Sequence, residues 1–283
     1  MATTTAGSVR EALGAAAAAL AAAGVESPRL DAELLLAEAT GWDRARLSTE
    51  PESGVEPPAA RRFGEFVRRR IRREPVAYIV GHRGFRGIEL AVDPRVLIPR
   101  PETELLVEVA LELQPGTVLD VGTGSGAIAL AVADELVDVA VTATDTSAGA
   151  IAVARANAAR LGLAERVKFE VVARFGPNAE SRQPGPSYDL VLANLPYVAD
   201  GDWGSLQPEI REYEPREALL AGPDGLDAIR TLLAHPPHCQ AIALEVGEGQ
   251  ARAVEGLVRA SGFGSVESRR DLAGIERAVV GRR

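Results

Sequence analysis

Asn194-Leu195-Pro196-Tyr197 closes the apolar run Leu190-Val191-Leu192-Ala193, so a polar side chain stands where a buried strand must end. The residue types suit methyl transfer to a planar nitrogen. An amide or exocyclic amine has a delocalised lone pair and is a poor nucleophile. A site that uses one must hold both N–H groups on acceptors and leave the nitrogen's face toward the incoming methyl. The Asn194 side-chain oxygen and the Leu195 main-chain carbonyl can supply those acceptors, and Tyr197 can pack on the planar group. Pro196 biases Leu195 toward extended backbone and so fixes where that carbonyl points. Asn-Pro-Pro-Tyr is the commoner form of such a motif; with leucine in the second place one ring is lost and the carbonyl is kept.

A second motif precedes it. Leu119-Asp120-Val121-Gly122-Thr123-Gly124-Ser125-Gly126 lies between an expected strand and an expected helix. Its glycines allow a sharp turn and close approach of backbone to a ligand. Amides at the helix start would favour an anionic group such as a carboxylate. Asp120 suits a cofactor carrying an amino group. Asp145 ends the following strand, where its carboxylate can accept from both hydroxyls of a ribose. Gly122-x-Gly124-x-x-Ala127 also fits the looser dinucleotide fingerprint, and the turn alone leaves an NAD-binding domain open. A hydride-transfer enzyme has no need of Asn194 and its neighbours.

These motifs must be held at strand ends, and the chain supplies the strands. Beyond residue 116, candidate strands at 118–121, 139–144, 167–172, 190–193, 241–246, 265–268 and 277–280 alternate with helical segments near 126–136, 148–161, 225–234 and 249–261. This predicts an α/β fold, a seven-stranded, mostly parallel, Rossmann-like sheet covered on both faces. The turn Leu272-Ala273-Gly274 is too short for a crossover, so the last two strands should pair antiparallel.

The organisation expected is a helical domain over 1–80, a hairpin linker over 81–101 and a catalytic domain over 102–283. In the first, Ser8 and Glu11 form a capping box for a helix that contains the alanine run 15–19 and stops at Gly24. Glu11 and the weak hydrophobicity of alanine argue against a secretory signal. A second helix opens at Ser27-Pro28 with Leu30, Leu34, Leu35 and Ala37 on its apolar stripe, and closes at Gly41. A third follows Pro57-Pro58 with Phe63, Phe66, Val67 and Ile71 inward. Arg61, Arg62, Arg68, Arg69, Arg70, Arg72 and Arg73 surround them, either as a solvated face or as a contact for a partner such as RNA.

A formal net charge of −9, with Lys168 as the single lysine, argues against a dominant phosphate-binding surface and against DNA as substrate. Cys239 is the only cysteine, which excludes an intrachain disulfide and suits a reducing cytoplasm. No stretch reaches the roughly twenty strongly apolar residues of a membrane-spanning helix, and a monomer is expected. His235, His238 and Cys239 lie close together, but Pro236 and Pro237 preclude helical presentation and no second ligand cluster exists, so no metal is expected. Trp203 and Tyr213 could cover a substrate or simply pack.

With both motifs in place, the chain resembles the release-factor glutamine methyltransferases, class I enzymes that use S-adenosylmethionine. The resemblance spans nearly the whole chain. It rests on Asp31-Ala32-Glu33-Leu34-Leu35-Leu36, Glu74-Pro75-Val76-Ala77-Tyr78-Ile79-Val80-Gly81, Leu97-Ile98-Pro99-Arg100-Pro101-Glu102-Thr103-Glu104, the glycine turn, Asp145, Asn194 to Tyr197, and Glu245-Val246-Gly247. It implies methylation of the side-chain amide nitrogen (N5) of the glutamine in the Gly-Gly-Gln loop of peptide chain release factors. By position, Gly122, Thr123, Gly124, Ser125, Gly126 and Asp145 would hold the cofactor. Asn194 would touch cofactor and substrate, Leu195, Pro196 and Tyr197 would frame the glutamine, and the amino-terminal helices would recognise the release factor's body. Adenine-amino methylation on DNA or RNA, glutamine methylation on a ribosomal protein, and a catalytically silent binding module are the rival readings.

One departure from the family follows the third strand of the sheet. An acidic residue and an aromatic or aliphatic neighbour are usual near the adenine, where this chain has Val171-Val172-Ala173-Arg174-Phe175-Gly176. Ala173 takes the acidic place and Arg174 its neighbour; a one-residue shift brings Phe175 there instead. The planar guanidinium of Arg174 would stack on the adenine. Arg174→Ala is then expected to weaken S-adenosylmethionine binding about two- to fivefold in equilibrium dialysis, and equal dissociation constants would eliminate the stacking role.

Overall fold

The computed structural model describes residues 7–173 and 187–283. By their contacts these form two compact units, one of residues up to 81 together with Gln207–Tyr213, the other of His82–Leu206 and Glu214–Arg283. Two segments fall elsewhere than the sequence suggests. The hairpin expected as a linker belongs to the second unit, and the short stretch Gln207–Tyr213 belongs to the first.

The first unit contains α1 (Val9–Ala22), α2 (Pro28–Thr40), α3 (Arg44–Thr49), α4 (Pro57–Ile71) and α5 (Val76–Val80). The capping box of α1 is complete, with the Glu11 N–H donating to Ser8 Oγ at 3.2 Å and the Ser8 N–H to Glu11 Oε2 at 2.9 Å. Pro28 opens α2, and Gly41, with φ of 71°, closes it. Helix α3 is not anticipated from the sequence, although Asp43 caps it by accepting from the Arg46 N–H at 2.7 Å. The buried stripe of α2 differs from the expected one: Leu30 is exposed, whereas Ala32, Leu35 and Leu36 are fully buried. Those residues meet Leu13, Leu20, Phe63 and Phe66 in the unit's core, while Ile71 is exposed.

The arginine run of α4 is neither a uniform solvated face nor a free patch. Arg61, Arg62, Arg68 and Arg72 are exposed, but Arg70 is buried. Its guanidinium bonds Asp31 Oδ2 at 2.7 Å and Glu209 Oε1 at 2.7 Å, and Arg73 reaches Glu209 Oε2 at 2.6 Å. Glu209 lies in the six-residue helix Pro208–Tyr213, whose Tyr213 hydroxyl donates to the Arg72 carbonyl at 2.7 Å. Ion pairing is why this returning segment belongs to the helical unit.

The second unit begins with the hairpin β1 (His82–Phe85) and β2 (Ile88–Ala91), continues into α6 (Glu104–Leu113), and then alternates strand and helix. The alternation runs β3 (Thr117–Val121), α7 (Ala127–Glu135), β4 (Ala140–Asp145), α8 (Ala148–Arg160), β5 (Val167–Val171) and β6 (Tyr188–Ala193). Helix α9 is the Pro208–Tyr213 segment, and α10 (Asp227–Ala234), β7 (Cys239–Glu245), α11 (Ala251–Ala260), β8 (Ser265–Arg270) and β9 (Glu276–Arg282) complete the chain. The sheet order is β5-β4-β3-β6-β7-β9-β8. The first five strands are parallel, and β9 is inserted antiparallel between β7 and β8. Alternate residues of each central strand feed cores on opposite faces: Val118, Leu190 and Leu192 on one, Leu119, Val191 and Ile242 on the other. Strand direction reverses its progress at β3, where β4 lies on one side and β6 on the other, and such a switch point opens a crevice at the carboxyl ends.

No helix of the described residues is long and apolar enough to cross a membrane. In the first unit, burial raises the Glu209 carboxyl, but its bonds with Arg73 and Arg70 outweigh this and hold its pKa below the ordinary 4.5. The pairing therefore stabilises fully above that value and is lost as pH falls through the folded pKa. Glu209→Ala, which removes the partner of Arg73 and leaves Arg70 with Asp31 alone, is expected to cost about 1–3 kcal/mol in chemical denaturation at pH 7; a change below about 0.5 kcal/mol would contradict the pairing.

Candidate active site

Register brings the motifs together. Val121 pairs with Thr144 on β4 and with Ala193 on β6, and Ala193 pairs with Leu244 on β7. The residues that follow these four are Gly122, Asp145, Asn194 and Glu245, so all four stand at one level along the sheet's carboxyl edge. A cleft partly open to solvent lies there, in the place where open α/β sheets bind ligands. Gly122, Thr123, Gly124, Ser125, Asp145, Asn194 and Pro196 all line it. Leu195 and Tyr197 are not among its lining residues, and neither is Asp120.

The glycine turn needs its glycines. Gly122, Gly124 and Gly126 have φ of 78°, 56° and 88°, a region that side chains disfavour. A Cβ at Gly126 would also stand 2.9 Å from Leu130 Cδ1 and 3.3 Å from the Ala154 methyl. Several of the turn's amides are used internally, contrary to the expected anion cradle. The Gly122 and Thr123 N–H groups donate to the Thr144 carbonyl, each at 2.9 Å, and the Gly126 N–H donates to the Thr123 carbonyl at 2.8 Å. The Gly124 N–H donates to Asp145 Oδ2 at 2.9 Å. Asp145 also accepts from the Ser147 N–H, and burial nevertheless keeps its carboxyl above the ordinary range.

Asp120 acts beneath the turn. Its carboxylate is fully buried and accepts from the Thr123 hydroxyl at 2.6 Å and the Ala129 N–H at 3.2 Å, while Oδ1 has no partner among the described residues. Burial pushes its pKa up to about 7. The side chain expected to meet an amino group instead ties the turn to the first turn of α7. Asn157, fully buried on α8, performs a similar task that the sequence did not signal. Its carboxamide donates to the Ser125 and Ala91 carbonyls at 2.9 and 3.0 Å and accepts from the Ala91 N–H at 2.8 Å, which links the turn to the hairpin.

At the β6 end, Asn194 Nδ2 donates to Thr103 Oγ1 at 2.9 Å. Among the described residues nothing donates to Asn194 Oδ1 or to the Leu195 carbonyl. Tyr197 is held from both sides. Gln250 Nε2 donates to its carbonyl at 2.9 Å, and Gln250 Oε1 accepts from the Gly247 N–H at 2.9 Å. Burial raises the Tyr197 phenol to about 12, with Glu245 adding to the shift. The ring therefore packs by Gly247, where a Cβ would come within 3.2 Å of Tyr197 Cδ2.

Several lining residues were missed as site residues: Val96, Leu97 and Pro99 before α6, Thr103 in the 3-10 turn Pro101–Thr103, and Glu217. For Leu97, Pro99 and Thr103 the available signal is that they lie in the run Leu97 to Glu104, one of those that carry the family resemblance. Glu214 holds this segment by accepting from the Ile98 N–H at 3.0 Å and from Arg100. Arg174 and Phe175 lie outside the described residues; Ala173 is exposed. Trp203 sits under the Arg216 guanidinium, 5.0 Å from ring centre. Cys239 is buried, and no group of three or more potential ligands could hold a metal ion among the described residues.

A parallel sheet with an inserted antiparallel last strand and a cleft at its switch point defines the class I methyltransferase fold. The crystal structure of the hMettl16 catalytic domain in complex with the MAT2A 3'UTR hairpin 6 shares it, with a TM-score of 0.55 at 17% identity over 68% of this chain and 75% of that one. Residues 11–81 match the family model of the PrmC N-terminal domain, and residues 101–207 that of the methyltransferase small domain. The release factor glutamine methyltransferase of Cereibacter sphaeroides is 42% identical over 276 residues, 96% of this chain and 97% of its own. That of Pseudomonas aeruginosa is 44% identical over 262 residues, 90% and 92% of the two chains. The chain belongs to the release factor glutamine methyltransferase family.

Gly126→Ala is expected to lower stability by about 1–3 kcal/mol through backbone strain at the turn, read by thermal denaturation; an unchanged midpoint would show that the turn tolerates a side chain.

Proposed function

We propose that this protein transfers a methyl group from S-adenosylmethionine to the N5 nitrogen of the glutamine in the Gly-Gly-Gln loop of peptide chain release factors. The observation that carries this reading is the pair of unengaged oxygens, Asn194 Oδ1 and the Leu195 carbonyl, at the same level of the sheet as the glycine turn and Asp145. The cleft suits the cofactor by the turn Gly122 to Ser125 that lines it and by the open space at Gly124, where a Cβ would meet nothing within 4 Å. Gly122 to Gly126 and Asp145 would hold it, the carboxylate accepting from ribose hydroxyls. Bound there, S-adenosylmethionine supplies a methyl on a positively charged sulfur with a neutral leaving group.

The residues of this chain then have two tasks. Asn194 Oδ1 and the Leu195 carbonyl accept hydrogen bonds from the two N–H groups of the substrate's NH₂, which orients the nitrogen's face and stabilises positive charge as it develops there; once the N–CH₃ bond has formed and the S–CH₃ bond has broken, the nitrogen releases one proton to solvent. Pro196 restricts the backbone of Leu195 so that the second acceptor is preset. No strong base is required before attack. In this reading the helical unit recognises the body of the release factor, and the enzyme works in the cytoplasm.

Labelled S-adenosylmethionine offered with a release factor or with nucleic acid is expected to place the methyl on the Gly-Gly-Gln glutamine, located by mass mapping; label confined to adenine would overturn the assignment. Asn194→Ala is expected to lower kcat about 100- to 1000-fold with a smaller loss of cofactor affinity, and an unchanged turnover number would refute its role.

A further inference from the structure

We propose that Gln250 is a positioning residue for the methyl acceptor: its carboxamide fixes Tyr197, and with it the end of the acceptor motif, without touching the side of the cleft that would hold the cofactor. The role rests on the reading of Asn194 to Tyr197 as the frame of the substrate's glutamine. Beyond that frame the chain is already pinned, since the Val198 N–H donates to the Leu219 carbonyl at 2.9 Å and the Val198 carbonyl accepts from the Ala221 N–H at 3.0 Å. Among the described residues no main-chain N–H reaches the Tyr197 carbonyl. Its hold is a side chain, Gln250 Nε2 at 2.9 Å.

Gln250 stands at the N-terminal cap position of α11, and its carboxamide can sit only one way. Oε1 accepts from the Gly247 N–H at 2.9 Å, and Nε2 donates to the Tyr197 carbonyl at 2.9 Å and to the Asp224 carbonyl at 3.3 Å. Each partner is a main-chain group whose sense as donor or acceptor is fixed. A half-turn of the carboxamide would set N–H against N–H and an oxygen against two carbonyls. The Gln250 N–H closes the same turn by donating to the Gly247 carbonyl at 3.1 Å. Behind it, Ala251, Val254 and Val258 anchor α11 in the core. The surrounding backbone leaves little slack. A Cβ at Gly225 would collide with the Tyr197 carbonyl oxygen and stand 2.8 Å from Gln250 Nε2, and one at Gly247 would stand 2.9 Å from Gln250 Oε1.

The glycine turn is held by other bonds, those made by the Thr144 carbonyl, Asp120 and Asn157. None of them passes through Gln250, which is not a lining residue of the cleft. Loss of Gln250 should therefore displace the acceptor side and spare the cofactor.

Two variants isolate the grip on Tyr197. Gln250→Met removes every side-chain bond at similar length. Gln250→Glu keeps an acceptor for the Gly247 N–H but sets a carboxylate oxygen against the Tyr197 and Asp224 carbonyls. With saturating release factor, each is expected to lower the single-turnover rate of methyl transfer about 10- to 100-fold, while the S-adenosylmethionine dissociation constant stays at its wild-type value in equilibrium dialysis. Fluorotyrosine labelling of the cofactor-free protein reports on Tyr78, Tyr188, Tyr197 and Tyr213. The Tyr197 fluorine resonance, assigned by its loss in Tyr197→Phe, is expected to shift in both variants while those of Tyr78, Tyr188 and Tyr213 stay in place. A wild-type rate or an unmoved Tyr197 resonance in either variant, or cofactor affinity lost in step with the rate, overturns the proposal. If the wild type methylates no release factor, the reading of function fails, and the fluorine spectrum still decides whether Gln250 fixes Tyr197.

Discussion

The in-register pairing of four parallel strands is the constraint on which the rest depends. Because Val121, Thr144, Ala193 and Leu244 are mutually paired across β4, β3, β6 and β7, the next residue of each strand emerges at the same height. A glycine turn, a carboxylate and a carboxamide thereby line one cleft although they come from positions 122 to 194, and the buried Glu245 stands at the same level. A one-residue slip of β6 would carry Asn194 to the other face of the sheet. The apolar residues that alternate along these strands fill both cores, so the packing that stabilises the sheet also fixes the chemistry's geometry.

Around that edge, single polar side chains tie separate elements together. Asp120 joins the turn to α7, Asn157 joins it to the hairpin, Gln250 grips the carbonyl of Tyr197, and Glu214 anchors the segment before α6. Each is buried or half-buried with its donors and acceptors largely matched, which is the condition under which buried polar groups rigidify a structure instead of weakening it. Preorganisation of this kind suits a displacement in which positioning supplies most of the catalysis.

Much of this was legible in the chain because the informative residues sit where local patterns change. The strands were located to within a residue or two by runs of apolar residues, and the glycine turn, Asp145 and Asn194 stood out because they terminate such runs. The antiparallel pairing of the last two strands followed from the short turn between them, but the insertion of β9 beside β7 depends on the whole sheet. Long-range polar partners left no periodic trace. Nothing near Arg70 in the sequence announces Glu209, and nothing near Asn194 announces Thr103. Leu30 was misplaced for a related reason: a helix carries several apolar residues, and only its neighbours decide which face is buried.

The central claim is that the Asn194 carboxamide oxygen and the Leu195 carbonyl together grip the nitrogen that receives the methyl. A crystal structure with S-adenosylhomocysteine and a Gly-Gly-Gln peptide tests it most directly. The account predicts the glutamine nitrogen within hydrogen-bonding distance of both oxygens, with its face toward the cofactor's sulfur. A glutamine bound with its carbonyl, not its nitrogen, toward Asn194, or a cofactor lodged away from the glycine turn, would contradict it.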